Sequence, residues 1–140
     1  MVKSGVFLVC CLTFAVVSPG MAAEYVCPSP DAFHQEKPSD NHAGWTIRTR
    51  EQPAPVNFIQ FFDGDPSEEV SLAPQHHIQE GKDEVSIWPL EPVTPTDRPV
   101  WLACYAANER TFFARPLPLS VKECRVHYGP KNRVRRISCE

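Results

Sequence analysis

The residues best equipped for chemistry in this chain are its six cysteines. Cys10 and Cys11 lie in an apolar N-terminal run, whereas Cys27, Cys104, Cys124 and Cys139 lie beyond it. Beyond an export signal, such cysteines read as disulfides, because an oxidising compartment favours them over free thiols or metal thiolates. Carboxylates form a second cluster, with Asp63, Asp65, Glu68 and Glu69 inside one short segment. That density would suit acid–base work, calcium binding or a charged docking surface. The segment lacks the ligand ladder of an EF-hand, and Pro66 within it reads as a turn. Histidines form the third set. His76 and His77 are adjacent, so in a strand they point to opposite faces, and no pair has the HExxH spacing that sets two ring nitrogens on one side of a helix. No GxSxG elbow is present. The chain is therefore expected to be no enzyme and to need no cofactor or metal. Catalysis would require Asp63, Asp65, Glu68 or His76 to converge in a cleft.

The charges are unevenly spread. Residues 23–97 hold 14 acidic and 4 basic side chains, and residues 98–140 hold 3 acidic and 9 basic, a balance of −10 against +6. Interleaved strands would pair these charges across a sheet, each exposed pair contributing roughly 0–1 kcal/mol. A polarised surface is the other reading. Its acidic face would be Asp63, Asp65, Glu68 and Glu69 and its basic edge Lys131, Arg133, Arg135 and Arg136, either able to steer a charged partner. Nucleic acid is excluded as that partner by the acidic overall balance, the exported location and the lack of aromatics within the basic run.

The elements that must position these groups are short strands. Prolines number 15 in 140 residues, too many for long helices, while the hydrophobic content of 42% excludes disorder. Residues 1–22 read as a signal peptide: Lys3, a 12-residue apolar run at 6–17, and small residues for cleavage after Ala22 or Ala23. The run is shorter than the roughly 20 residues of a membrane span, so the mature chain is expected to cross no membrane. One domain, 23–140, remains. Strands are expected at 23–27, 45–50, 56–62, 85–89, 99–106, 110–115, 122–128 and 133–139. Segments 56–62 and 100–105 are apolar on both faces and should be central, covered by a second layer. A helical turn capped by Ser67 is expected within 67–74, and loops at 28–44 and 89–99. The fold class is all-β, a small antiparallel β-sandwich or partly open barrel of seven to eight short strands, stapled by disulfides.

Register constrains the disulfides. If 122–128 and 133–139 form a hairpin with Tyr128 opposite Arg135, then Val126 faces Ile137 and Cys124 faces Cys139, close enough for a bridge. Cys27 then pairs with Cys104. The alternative, Cys27 with Cys139 and Cys104 with Cys124, would also staple a sheet.

The ordered set FFDGDPSEEVSLAP (61–74), VSIWPL (85–90), VWLACYA (100–106) and RPLPLSVKECRVHYG (115–129) resembles a family of small uncharacterised exported proteins of Gram-negative bacteria. The resemblance runs from YVCP (25–28) to Gly129 and implies export and a disulfide-bearing domain, with no established activity. In size and location the chain is also similar to periplasmic lysozyme inhibitors and to immunity proteins against cell-wall hydrolases. It lacks the serine- and glycine-rich loop of the inhibitors.

The function expected is thus a periplasmic binding module whose partner is another envelope or extracellular protein, an inhibitor or immunity-type protein included. A structural or small-ligand carrier role is the alternative. Phe58, Phe61, Phe62, Trp88, Trp101, Phe112 and Phe113 would then line its pocket, although a core this small needs the same residues.

Overall fold

The computed structural model describes residues 22–29, 43–90 and 97–140. The expected leader, and parts of the loops 28–44 and 89–99, lie outside the described residues. Within them ten strands pair antiparallel in two five-stranded sheets. Sheet A has the order β1 (Ala23–Tyr25), β10 (Arg133–Cys139), β9 (Glu123–Gly129), β6 (Asp83–Pro89), β5 (His76–Glu80). Sheet B has the order β2 (Thr46–Thr49), β8 (Thr111–Pro116), β7 (Val100–Tyr105), β3 (Phe58–Asp63), β4 (Ser71–Leu72). The all-β sandwich is as expected, and eight of its strands lie where the apolar runs placed them. β4 and β5 are additional.

Alternation along the strands explains why the sheets pack face to face. Ile59 and Phe61 of β3, with Leu102 and Cys104 of β7, turn one side of sheet B inward. Trp88 of β6, Cys124 and Val126 of β9, and Ile137 and Cys139 of β10 answer from sheet A. Phe61, Leu102 and Val126 are wholly buried, and burying each side chain of this kind stabilises by about 1.5–3 kcal/mol. Phe61 meets Trp88 across the gap at 4.9 Å between ring centroids. The Trp88 indole N–H donates to the Leu72 carbonyl at 3.0 Å, so its burial leaves no polar atom stranded.

Both disulfides follow the register argument. Cys124 and Cys139 are directly opposed on β9 and β10, with Cα atoms 4.1 Å apart, on the same inward side as Val126 and Ile137. Cys27, just past β1, bonds Cys104 near the end of β7 and so ties sheet A to sheet B. The alternative pairing is ruled out.

Three local expectations are corrected. A bulge at Arg135 sets Val134, not Arg135, opposite Tyr128. The bulged Arg135 side chain lies against Gly129, where a Cβ would meet its Cδ at 2.5 Å. β10 is not an edge strand along its whole length either, because β1 pairs with Ile137, Ser138 and Cys139. The helical turn is a single 3-10 turn, Pro66–Glu68, capped by Asp65 rather than Ser67. Pro66 suits its first position, where a missing N–H costs nothing.

Candidate binding face

The side of sheet B turned away from sheet A carries a row of aromatic rings. Phe58, Tyr105 and Phe112 are neighbours in register on β3, β7 and β8. Phe58 stacks on Tyr105 at 4.3 Å and Tyr105 on Phe112 at 4.7 Å. Phe62 and Trp101 form a parallel row four residues away along the strands, with Gln60, Ala103 and Ala114 between the rows. Burial pushes the Tyr105 phenol up, against the pull of the Arg50 guanidinium, so the ring presents a neutral hydroxyl.

Arginines take the place of a further protein layer. Arg48 and Arg50 are two residues apart, at β2 and its end, and project to one side. The Arg48 guanidinium lies 5.4 Å from the Trp101 centroid and Arg50 lies 5.4 Å from that of Tyr105. Arg48 then reaches Asp65 at 2.6 Å, arching over the sheet to the turn beyond β3. The groove left open has a volume of about 810 Å³. Phe58, Gln60, Phe62, Tyr105 and Phe112 line it, with Arg48 and Arg50 on one side and Pro66, Ser67 and Glu69 on the other.

The acidic turn is held from within. The Asp65 carboxylate accepts from the Ser67 amide at 2.9 Å and the Ser67 hydroxyl at 2.7 Å, while the Asp65 amide donates to Glu68 Oε1 at 3.2 Å. The Ser67 amide, then its hydroxyl, and after them Arg48, hold the Asp65 carboxyl below its ordinary value, partial burial opposing them. Arg98 lies beneath the turn and donates to Glu68 and to the Asp63 carbonyl, each at 2.8 Å, with its Nε 3.3 Å from the Asp63 carboxylate. Gly64 has a φ of +86°, which favours glycine, and a Cβ there would push the Arg98 guanidinium away from Asp63 and Glu68.

This geometry carries a prediction. Asp65→Ala removes a cap and an ion pair, so it should cost about 1–2 kcal/mol at neutral pH. A carboxyl whose folded pKa is depressed stabilises above its unfolded pKa, and that contribution is lost as pH falls through the folded value. Urea unfolding of wild type and variant at pH 7 and near pH 3 should show the gap narrowing in acid. A gap independent of pH would refute the assigned role of Asp65.

Of the basic residues singled out in the sequence, Arg135 pairs with Asp83 at 2.7 Å. Arg136 lies 2.9 Å from His127 Nε2 and 3.9 Å from Glu24. The Arg135–Asp83 and Arg136–Glu24 pairs, with Arg98 on Asp63 and Glu68 and Arg125 on Glu80 at 3.4 Å, join the acidic half of the chain to the basic half. Lys131 and Arg133 make no ion pair among the described residues. They border a second groove of about 790 Å³ beside Cys27, Cys104, Val56 and Phe58. The acidic and basic sets therefore lie on different parts of the molecule. His76 is on β5 of sheet A, apart from the acidic turn.

The seven aromatics considered for a carrier pocket are divided between two layers. Phe61, Trp88 and Phe113 belong to the packed interior, whereas Phe58, Phe62, Trp101 and Phe112 lie on the outer side of sheet B. They do not ring one cavity. Among the described residues no helix is long and apolar enough to cross a membrane.

Fold and face together define a disulfide-stapled β-sandwich with an aromatic groove on one sheet, bordered by arginines on one side and by the acidic turn on the other. Residues 49–140 match the family model described as type VI secretion system Tli immunity protein, and the chain belongs to that family. This is more specific than the resemblance to uncharacterised exported proteins. The matched span holds the aromatic row, the acidic turn, and Cys104, Cys124 and Cys139. No curated protein and no solved structure matches the chain.

Proposed function

We propose that this protein is an exported immunity protein that binds an effector of type VI secretion, an enzyme attacking the cell envelope, and blocks it in the periplasm. The observation that carries the binding reading is the groove on the outer side of sheet B, where the half-buried rings of Phe58 and Tyr105 lie between the arginines Arg48 and Arg50 on one side and the acidic turn on the other. Tyrosine, tryptophan and arginine are the side chains that dominate protein interfaces, because they bury large areas while keeping a polar end. Of the charged residues singled out in the sequence, Glu69 at the groove rim and Lys131 and Arg133 at the second groove are the ones placed to select the partner. Asp63, Asp65, Glu68, Arg135 and Arg136 hold those surfaces in shape and add to their field.

Export rests on the leader read at 1–22 and fits the two disulfides, which an oxidising compartment preserves. β1 begins at Ala23, so cleavage after Ala22 keeps the whole strand in the domain 23–140.

The test is competition within one species. A strain lacking this gene should be killed by its type VI-active parent and rescued by the full chain, but not by a chain without residues 1–22. Tyr105→Ala and Arg50→Glu should each remain folded yet weaken protection, since hot-spot truncations cost about 2 kcal/mol or more, roughly 30-fold in affinity. Survival of the deletion strain at parental level would overturn the immunity reading. Full protection by both variants would move the binding surface elsewhere.

A further inference from the structure

We infer that β5 is a homodimer contact, pairing edge to edge with β5 of a second copy about a two-fold axis through Ile78. β5 ends sheet A, and all five of its residues are exposed. Along its outer side the backbone donors and acceptors face no strand of the described residues. Proteins usually protect such edges with proline, lysine, a bulge or extreme shortness. The other sheet ends are short: β1 has three residues, β4 two and β2 four. β5 has five, contains neither proline nor lysine, and pairs with β6 without a register shift.

Its sequence is self-complementary. In an antiparallel pair centred on Ile78, each His76 falls opposite the other copy's Glu80, each His77 opposite Gln79, and Ile78 opposite itself. Neutral or charged, an imidazole N–H donates to a carboxylate. Ile78 is 40% exposed, a large apolar side chain that this pairing would cover from both sides. Like-charge repulsion between the copies is moderated within each. Glu80 lies 3.4 Å from Arg125 and 3.8 Å from His127, Asp83 is held by Arg135 at 2.7 Å, and Glu84 is 4.0 Å from His77. Gln79 folds back onto the carbonyls of Gly81 and Asp83, so it does not obstruct the edge.

The result is one sheet of ten strands running through two molecules, closed by its own symmetry so that it cannot grow into a fibre along this edge. The aromatic face belongs to sheet B and stays free, giving a dimer with two outward binding surfaces. Five residue pairs bury an area in the small, transient class, below about 1,200 Å², so the association is weak and concentration-dependent.

Sedimentation of protein purified after export should show a monomer–dimer equilibrium with a dissociation constant in the range of about 10–100 μM. Ile78→Lys should weaken it at least tenfold while leaving the thermal unfolding midpoint nearly unchanged. Ile78→Cys should give a disulfide-linked dimer through residue 78, because opposed residues lie within bridging range. Leu119→Cys, exposed on another surface, should not link. A strict monomer at every concentration up to 1 mM would overturn the proposal. So would a dimer that survives Ile78→Lys, or equal linking at residues 78 and 119. A monomer whose Ile78→Lys variant loses protection in the competition assay would give the edge to the effector instead. The sedimentation and cross-linking results do not bear on whether the chain confers immunity.

Discussion

Protein in which Cys27 and Cys104 are both serine is expected to be less stable by about 4–5 kcal/mol, and at 37 °C much of it should be unfolded. On the loop-entropy account, a cross-link closing about 78 residues restrains the unfolded chain more than one closing about 16, which is worth nearer 3 kcal/mol. The sequence separations here are 77 and 15. Location adds to length: the longer link joins the two sheets, whereas Cys124–Cys139 joins strands already paired by a backbone ladder. Domains of this size have about 5–15 kcal/mol in all, so the first loss is a large share of the total. Urea unfolding of the two double variants should rank them in that order, and strong reductant should bring both to the level of wild type. Equal losses, or the reverse ranking, would show that loop length is not what these bridges contribute.

Phe61→Ala is the other large effect, expected at about 3–5 kcal/mol. The ring is wholly buried and packs on Trp88 of the opposite sheet, whose indole is anchored by the Leu72 carbonyl. An indole held at its far end cannot slide into the vacated space, so the cavity persists and the cost falls toward the top of that range. Trp fluorescence and urea unfolding would report it. A loss under 2 kcal/mol would mean that the two sheets close over the gap.

Much of the architecture was legible because burial and strand period agree. β3, β7 and β8 of sheet B announce themselves as apolar runs, and the pairing of Cys124 with Cys139 follows from counting residues back from a turn. β5 was illegible for the opposite reason. HHIQE has no apolar face, since an edge strand with every residue exposed owes its conformation to β6 and not to its own side chains. β4, with two residues, offers no period to read. The bulge at Arg135 escaped because a single extra residue in a strand leaves no mark on composition. The apolar pattern on both faces of 56–62 and 100–105 was read as a demand for a second layer. The structure meets that demand with guanidinium groups over the rings, Arg48 on Trp101 and Arg50 on Tyr105. The signal was available in Arg48 and Arg50, whose spacing of two on an expected strand sets both on one side. The acidic turn was visible as a cluster, but a sequence does not say that Arg98, some thirty residues away, lies beneath it.

The disulfide pattern has a consequence for how the chain is made. The bonds join Cys27 to Cys104 and Cys124 to Cys139, so among the four cysteines of the described residues the first is linked to the second and the third to the fourth. A polypeptide threaded N-terminus first into an oxidising space would present its thiols in that same sequence. Oxidation that simply takes them two at a time as they emerge arrives at the correct connectivity, with no wrong bond to break. The first and last strands, β1 and β10, lie side by side, so sheet A is completed only when the final residues have come through, after the bridge between the two layers has had its partners at hand. If the chain is exported as proposed, the order in which it emerges and the fold it adopts specify the same pair of bonds.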